Sequence, residues 1–129
     1  MARIMIVDDS MMMRAALRKI LEKAGHEVVS EAVNGQQAID NYPKYQPDLV
    51  TMDITMPGLS GIEALKCILD TAPQANIVAV SALGQKHIIF DALENGAKNY
   101  VLKPITEDKL LPVINLVLEQ NGFIEAAPR

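Results

Sequence analysis

Residues 3–9 read Arg-Ile-Met-Ile-Val-Asp-Asp, an apolar run of strand length that ends in two carboxylates. Four more β-type runs follow it, at residues 27–32, 48–52, 76–80 and 99–102. Half of all residues are apolar, while Trp is absent and Phe and Tyr are few. The core must therefore be aliphatic, which is typical of a buried parallel sheet.

The segments between these runs have helical periodicity. In the first segment an apolar stripe through Met13, Leu17 and Leu21 precedes Gly25, where a left-handed cap would close the helix. The later helices carry similar signals: a turn at residues 34–35 before the second, a capping box at residues 60–63 before the third, and Gly96 after the fourth.

Two prolines bear on the helix ends. Pro43 is expected to end the second helix, because a proline lacks the backbone N–H that continues a helix. Thr106 is the expected N-cap of the fifth helix, and Pro112 then falls about one turn inside it. We expect either a kink at Pro112 or a later start of that helix.

Strands that alternate with helices imply right-handed βαβ crossovers, and hence an α/β fold with an open, doubly wound parallel sheet covered on both faces. The length of 129 residues corresponds to one domain. We assign residues 1–121 to this domain and expect residues 122–129 to form a flexible tail.

The composition narrows the class of partner. A net charge of −4 without a cluster of Lys and Arg gives no electrostatic footprint for nucleic acid or for an anionic membrane. The N-terminal apolar run is too short for a signal peptide or a membrane span. The single Cys67 excludes an internal disulfide and is expected to be a small buried residue, whereas His26 and His87 are expected at the surface. We therefore expect a cytoplasmic protein whose partners are proteins and small ions.

An open parallel sheet collects the residues at the carboxyl ends of its strands in one crevice. The predicted strands end in Asp8-Asp9, Asp53, Ser81 and Lys103-Pro104. Three carboxylates in one crevice repel one another, which a folded chain tolerates if protons or a cation intervene. Carboxylate and carbonyl oxygens without nearby His or Cys favour Mg²⁺ over zinc. We expect Asp9 and Asp53 to bind Mg²⁺ directly, and Asp8 directly or through water.

A lysine and a hydroxyl beside a cation make little sense for metal storage, because the ammonium would oppose the ion. They fit a phosphoryl group. If Asp53 attacks phosphorus, Mg²⁺, the Lys103 ammonium and the Ser81 hydroxyl can meet the charge on the three phosphoryl oxygens. Since an ionised Asp53 needs no general base, the sequence predicts this residue as a phosphoacceptor.

Asp8-Asp9, the run Met-Asp-Ile-Thr-Met-Pro at 52–57, Ser81 and Lys103-Pro104 resemble the defining set of the response-regulator receiver family, over essentially the whole chain. Within that family the segments 51–57 and 81–85 are most similar to CheY-like chemotaxis regulators. The resemblance implies a flavodoxin-like strand order of 2-1-3-4-5. It also implies that Thr55 lends its backbone carbonyl to the metal, that Lys103-Pro104 is a cis peptide, and that Tyr100 is a switch aromatic.

The same resemblance implies a histidine kinase as phosphodonor and an output target such as a flagellar motor switch component. The target would bind the face made by the fourth helix, fifth strand and fifth helix. Phosphorylation would draw Ser81 toward the phosphate and let Tyr100 turn inward, a population shift between two packings.

Leu83 stands where a polar residue often places the hydrolytic water. We therefore expect slow self-dephosphorylation and dependence on a separate phosphatase. The protein is then expected to be a phosphoacceptor switch and not an enzyme, either monomeric or dimerising on phosphorylation.

Three other interpretations fit parts of the pattern. The chain could be the isolated receiver of a larger regulator with a DNA-binding or enzymatic output. A Mg²⁺-dependent phosphatase normally needs a second acid where Thr55 stands, and a cap for which the chain is too short. A flavodoxin-like electron carrier would have a glycine-rich phosphate cradle where this chain has Asp8-Asp9-Ser10.

Overall fold

The computed structural model of this chain describes residues 2–56, 58–82 and 86–123. The strands are β1 (Arg3–Val7), β2 (Glu27–Ala32), β3 (Leu49–Asp53), β4 (Ile77–Ser81) and β5 (Asn99–Leu102). The helices are α1 (Met11–Lys23), α2 (Gly35–Tyr45), α3 (Gly61–Thr71), α4 (Lys86–Glu94) and α5 (Glu107–Gln120).

The five strands form one parallel sheet in the order β2-β1-β3-β4-β5. This confirms the predicted doubly wound α/β fold and its flavodoxin-like order. From β1 the chain moves to one side to form β2 and then to the other side to form β3. The connections after β1 and β3 therefore diverge and open a crevice at the carboxyl edge of the sheet.

Side chains that alternate along the strands build a core layer on each face of the sheet. Met5 and Val7 of β1 point into the layer formed with α2, α3 and α4. Ile4 and Ile6 point into the opposite layer, formed with α1 and α5. Because both faces are covered, the ends of the strands are where side chains meet solvent and ligands.

Two strands begin and end one residue later than their apolar runs predict. The runs at 48–52 and 76–80 correspond to Leu49–Asp53 and Ile77–Ser81. Asp53 pairs with Val80, and Ser81 pairs with Leu102. Both polar residues are thus the last residues of their strands, and the sheet itself fixes their backbones.

The end of α1 follows the sequence signal. Gly25 has a φ of 92°, and its N–H donates to the Glu22 carbonyl at 3.0 Å. The His26 N–H donates to the Leu21 carbonyl, also at 3.0 Å. These two bonds form a Schellman motif, which requires the left-handed backbone that glycine adopts at little cost.

The prediction that Pro43 ends the second helix was wrong. The α2 helix continues to Tyr45, and Gln46 closes it with a φ of 45°. Pro43 removes one backbone hydrogen bond, yet Ile39 and Tyr42 pack against the core and hold the helix across that gap.

The fifth helix begins at Glu107 and continues through Pro112 to Gln120, which excludes the later start, whereas the kink at Pro112 stays a prediction. Thr106 has the backbone of an N-cap, but its side chain makes no capping hydrogen bond to the described residues. The buried side chains of Leu110 and Ile114 lie on either side of Pro112 and anchor the helix.

Two single-residue expectations also need correction. Cys67 is exposed on α3 and does not belong to the core. His26 is partly buried, and its Nδ1 accepts a hydrogen bond from the Ala2 N–H at 3.1 Å. Burial and the nearby N-terminus both lower the pKa of the His26 imidazole. His87 is exposed, as expected.

Within the described ranges, none of the helices has the length and apolar character needed to cross a bilayer. The expected tail at 122–129 lies for the most part outside the described residues, as do Leu83 and Pro57. The assignment of that tail stays a prediction.

Candidate functional site

Three carboxylates converge in the crevice beyond β1 and β3. Asp8 and Asp9 follow β1, and Asp53 is the last residue of β3. One oxygen from each of these three side chains lies within 4.8 Å of the others. Asp8 and Asp53 are 1% and 2% exposed, whereas Asp9 faces solvent. We refer to these carboxylates, together with Lys103, as the acidic site.

Asp8 is held through its backbone and one carboxylate oxygen. Its N–H donates to the Ala32 carbonyl at 3.0 Å, and its Oδ1 accepts from the Ser10 N–H at 2.9 Å. The other oxygen, Oδ2, is buried and accepts no hydrogen bond from the described residues. Burial raises the pKa of the Asp8 carboxyl, the charge of Asp53 adds to this, and the Ser10 N–H and Lys103 oppose it. Among the described residues the buried Oδ2 has only an ion-pair contact, with the Lys103 ammonium at 3.4 Å.

The two oxygens of Asp53 have different surroundings. Oδ1 accepts hydrogen bonds from the Thr55 N–H and from the Thr55 hydroxyl, each at 3.0 Å. Oδ2 faces the Lys103 ammonium at 3.3 Å. Thr55 therefore orients the carboxylate, a role for its hydroxyl that the sequence did not reveal.

Gly61 is a further residue that sequence reasoning missed. A Cβ at this position would overlap the Asp53 carbonyl oxygen and lie 2.5 Å from the Ile54 Cα. The start of α3 is therefore pressed against the end of β3, and a larger residue would displace the backbone that carries Asp53. A glycine directly after the capping residue Ser60 was the only available signal.

Lys103 reaches the acidic site from the end of β5. Its N–H donates to the Ser81 carbonyl at 2.7 Å, and its peptide bond to Pro104 is cis. Its Nζ lies 3.4 Å from Asp8 Oδ2 and 3.3 Å from Asp53 Oδ2. Burial by itself lowers the pKa of the Lys103 ammonium, but the two carboxylates outweigh burial and raise it. The charged ammonium therefore bridges the carboxylates.

Ser81 and Tyr100 lie on neighbouring strands. Ser81 is fully buried, and its hydroxyl donates to the adjacent Ala82 carbonyl at 3.2 Å. Tyr100 is 40% exposed on β5, where its backbone pairs with Ala79 of β4. The structure thus places Ser81 at the same sheet edge as Asp53 and Lys103, and Tyr100 on the outer surface.

The arrangement suits a divalent cation and an anion together. Three carboxylate oxygens within reach of one another provide hard ligands, and the exposed Asp9 leaves an open side. The Lys103 ammonium would oppose a cation alone, but it can bind an oxyanion placed next to that cation.

Comparisons with known proteins agree with this geometry. The family model described as response regulator receiver domain matches residues 4–115. The chemotaxis protein CheY of Bacillus subtilis is 50% identical over 116 residues, which make up 90% of this chain and 97% of that protein. CheY of Thermotoga maritima is 44% identical over 115 residues, or 89% and 96% of the two chains.

A solved structure is similar as well. In the CheX–CheY complex with BeF3 and Mg²⁺ from Borrelia burgdorferi, the matching chain has a TM-score of 0.86 and 33% sequence identity. The match covers 90% of this chain and 88% of that one. The residues matched by the family model include every residue of the acidic site.

Proposed function

The chain belongs to the response regulator receiver domain family, and from this premise we propose how its acidic site works. Asp53 accepts a phosphoryl group from the phosphohistidine of a partner kinase. An oxygen of Asp53 forms the new bond to phosphorus while the phosphorus–nitrogen bond breaks, and the imidazole nitrogen takes up a proton.

One observation carries this proposal, namely the Lys103 ammonium between two buried carboxylates. Its Nζ lies 3.4 Å from Asp8 Oδ2 and 3.3 Å from Asp53 Oδ2. An ammonium at this point pairs with an oxygen of the incoming phosphoryl group, as a site for transfer requires.

Mg²⁺ is the cation that best fits the donor set, which consists of carboxylates. Asp9 and Asp53 would hold it, with Asp8 directly or through water and with the Thr55 carbonyl. When bound, Mg²⁺ would supply positive charge to the phosphoryl oxygens. The buried Asp8 Oδ2 has an ion pair with Lys103 but no hydrogen bond from the described residues, which supports this assignment.

Phosphorylation would then change the face formed by α4, β5 and α5. The Ser81 hydroxyl turns toward the phosphate, and Tyr100 turns from its exposed position toward the space beside β4. This face already has apolar character, since Phe90 and Leu116 are 63% and 42% exposed. A groove of about 370 Å³ lies along β5 and α5, with Tyr100 and Val113 in its wall. Such a surface suits a protein target.

The output is chemotaxis, on the support of the relatives named CheY, and the target is a protein such as a flagellar motor switch component. The protein acts in the cytoplasm as a phosphoacceptor switch without an enzymatic activity of its own. Its self-dephosphorylation is slow, and a separate phosphatase ends the signal. The protein is either a monomer or forms a dimer when it is phosphorylated.

One alternative has a specific observation in its favour. A protein-glutamate methylesterase of Archaeoglobus fulgidus is 41% identical over 104 residues, which make up only 30% of that protein. A receiver of this kind can therefore occur within a longer regulator. The full reading frame around this chain distinguishes a receiver that stands alone from one that is part of a longer regulator.

Phosphorylation can be tested with acetyl phosphate and Mg²⁺, followed by intact-mass measurement. The wild type should gain one phosphoryl group, Asp53→Ala should gain none, and a chelator should abolish the reaction. Asp70→Ala, which removes an exposed aspartate on α3, is the matched control and should behave as the wild type. Equal labelling of Asp53→Ala and wild type would overturn the proposal.

The output can be tested with beryllofluoride and Mg²⁺. The loaded protein should bind a motor switch protein from the same genome more tightly than the free protein does, and Tyr100→Ala should reduce the difference. Equal affinity of loaded and free protein would exclude a switch at this face.

A further inference from the structure

Next to the acidic site lies a second cluster of charges, which we name the arginine cluster and which consists of Arg14, Arg18 and Glu31. The Arg14 Nε donates to Glu31 Oε1 at 3.0 Å. The Arg18 Nε and Nη2 donate to Glu31 Oε2 at 2.9 and 2.6 Å. Both oxygens of Glu31 on β2 are thus bound by α1.

The two arginines differ in their remaining contacts. The Arg14 Nη1 donates to the backbone carbonyl of Asp8 at 2.8 Å. The Arg18 Nη1 instead donates to Glu22 at 3.2 Å, on the outer face of α1. The Arg14 side chain is 13% exposed and that of Arg18 is 37% exposed. Arg14 is therefore largely buried and reaches the backbone of Asp8, whereas Arg18 is more exposed and reaches Glu22.

The contact with Arg14 completes the restraint of the Asp8 backbone. The Asp8 N–H donates to the Ala32 carbonyl, and Ala32 directly follows Glu31 on β2. The Asp8 carbonyl accepts from Arg14, which Glu31 holds in place. The N–H of Asp8 is therefore bound to Ala32, and its carbonyl is linked through Arg14 to Glu31, the preceding residue of β2.

We propose that Arg14 is a positioning residue of the acidic site. By binding Glu31 and the Asp8 carbonyl together, it sets the direction in which the Asp8 carboxylate meets the cation. The proposal rests on the proposed function, since it concerns Mg²⁺ affinity. The ion pair with Glu31 reduces the repulsion between the Arg14 guanidinium and a metal bound nearby.

Arg14 could otherwise be only a tie between α1 and β2. Arg18 provides the comparison, because it makes the same kind of bond to Glu31 without extending to the Asp8 carbonyl. A role in fastening α1 would affect both arginine variants alike. A positioning role would weaken Mg²⁺ binding in the Arg14 variant but not in the Arg18 variant.

The test compares Arg14→Met with Arg18→Met, using isothermal titration calorimetry to measure the Kd for Mg²⁺ and urea denaturation to measure stability. Arg14→Met should raise the Kd for Mg²⁺ about tenfold, whereas Arg18→Met should change it by less than about twofold. The rate of phosphorylation by acetyl phosphate should recover in Arg14→Met at saturating Mg²⁺.

A second variant covers the case in which Arg14→Met does not fold. In Arg14→Lys a single ammonium cannot reproduce the two-sided contact, so the Kd for Mg²⁺ should still rise while the positive charge is kept. Equal Kd values in the Arg14 and Arg18 variants would overturn the inference and leave the proposed function standing. If the wild type neither binds Mg²⁺ nor accepts a phosphoryl group, the proposed function fails instead.

Discussion

The acidic site and the arginine cluster meet at Asp8, which contributes its carboxylate to the first and binds Arg14 of the second through its backbone carbonyl. The two clusters differ in charge, because carboxylates outnumber cations in the acidic site and guanidinium groups outnumber carboxylates in the arginine cluster. In the acidic site the Lys103 ammonium contacts two of the three carboxylates, those of Asp8 and Asp53. In the arginine cluster two guanidinium groups share the carboxylate of Glu31, with hydrogen bonds of 2.6 to 3.0 Å.

The pKa values follow this difference. Burial raises the pKa of the Asp8 carboxyl, and the nearby Asp53 adds to the effect. Burial would also raise the pKa of Glu31, but Arg18 and Arg14 outweigh it and lower the pKa. Both oxygens of Glu31 are paired with guanidinium groups, whereas the acidic site has more carboxylates than cations, which suits the cation and the phosphoryl group of the proposed function.

The largest effect on stability is expected from Lys103→Met in the absence of metal. Loss of the ammonium leaves the carboxylates of the acidic site without a counter-charge, which should lower the free energy of unfolding by about 2 kcal/mol, a value reduced because Lys103 is 24% exposed. Urea denaturation in chelator measures this. Lys98→Met, at an exposed lysine, is the control, and equal losses in the two variants would contradict the comparison.

A gain in stability is expected from Asp8→Asn. Removal of a buried charge that repels Asp53 should raise the free energy of unfolding by about 1 kcal/mol in chelator, or the Tm by roughly 4 °C. Mg²⁺ should stabilise the wild type more than this variant. The control is Asp48→Asn at the opposite end of the sheet, where the carboxylate accepts the Arg3 N–H at 2.8 Å. A decrease for Asp8→Asn would show that the site is not crowded.

A smaller loss is expected from Glu31→Gln, because it removes the carboxylate on which the arginine cluster depends. The free energy of unfolding should fall by about 0.5–1 kcal/mol, and the loss should shrink as salt is added. Glu22 is half-exposed, and among the described residues its carboxylate pairs with Arg18, so Glu22→Gln should cost only about 0.2 kcal/mol. A loss from Glu22→Gln as large as that from Glu31→Gln would contradict the distinction.

The smallest effect is the pH dependence, which should have opposite signs in the two clusters. The folded pKa of Asp8 lies above 3.8, so its contribution to stability is present below pH 3.8 and is lost as the pH rises through the folded pKa. The folded pKa of Glu31 lies below 4.5, so its contribution is present above pH 4.5 and is lost as the pH falls through the folded pKa.

Urea denaturation from roughly pH 3 to 7 measures both contributions. The advantage of Asp8→Asn over the wild type should grow as the pH rises. The advantage of the wild type over Glu31→Gln should disappear as the pH falls. If the stability of the two variants relative to the wild type changed with pH in the same direction, the expected difference in pKa shift between Asp8 and Glu31 would be contradicted.

Strand ends could be predicted because their signal is local. An apolar run followed by a polar residue marks a strand and its end, so Asp8, Asp53, Ser81 and Lys103 could all be placed at one edge of the sheet. Errors of one residue in β3 and β4 arose because hydrogen bonding to neighbouring strands extends past the apolar run. The prediction that Pro43 ends α2 failed for a similar reason, because packing against the core maintains the helix beyond the proline.

The contacts of individual atoms could not be predicted in this way. Arg14 and Glu31 are 17 residues apart and lie on different elements, and nothing near either residue marks the other as its partner. The close approach of Gly61 to the backbone of Asp53 likewise depends on how α3 packs against β3.

Hydrophobic periodicity and capping act over a few neighbouring residues, so the order of the elements and the polar residues at the strand ends could be derived from the sequence alone. Tertiary structure alone established that the Lys103 ammonium lies against the Oδ2 atoms of Asp8 and Asp53, and that Arg14 and not Arg18 reaches the Asp8 carbonyl. These contacts depend on the packing of distant segments, and a shift of about 1 Å in that packing makes or breaks a hydrogen bond.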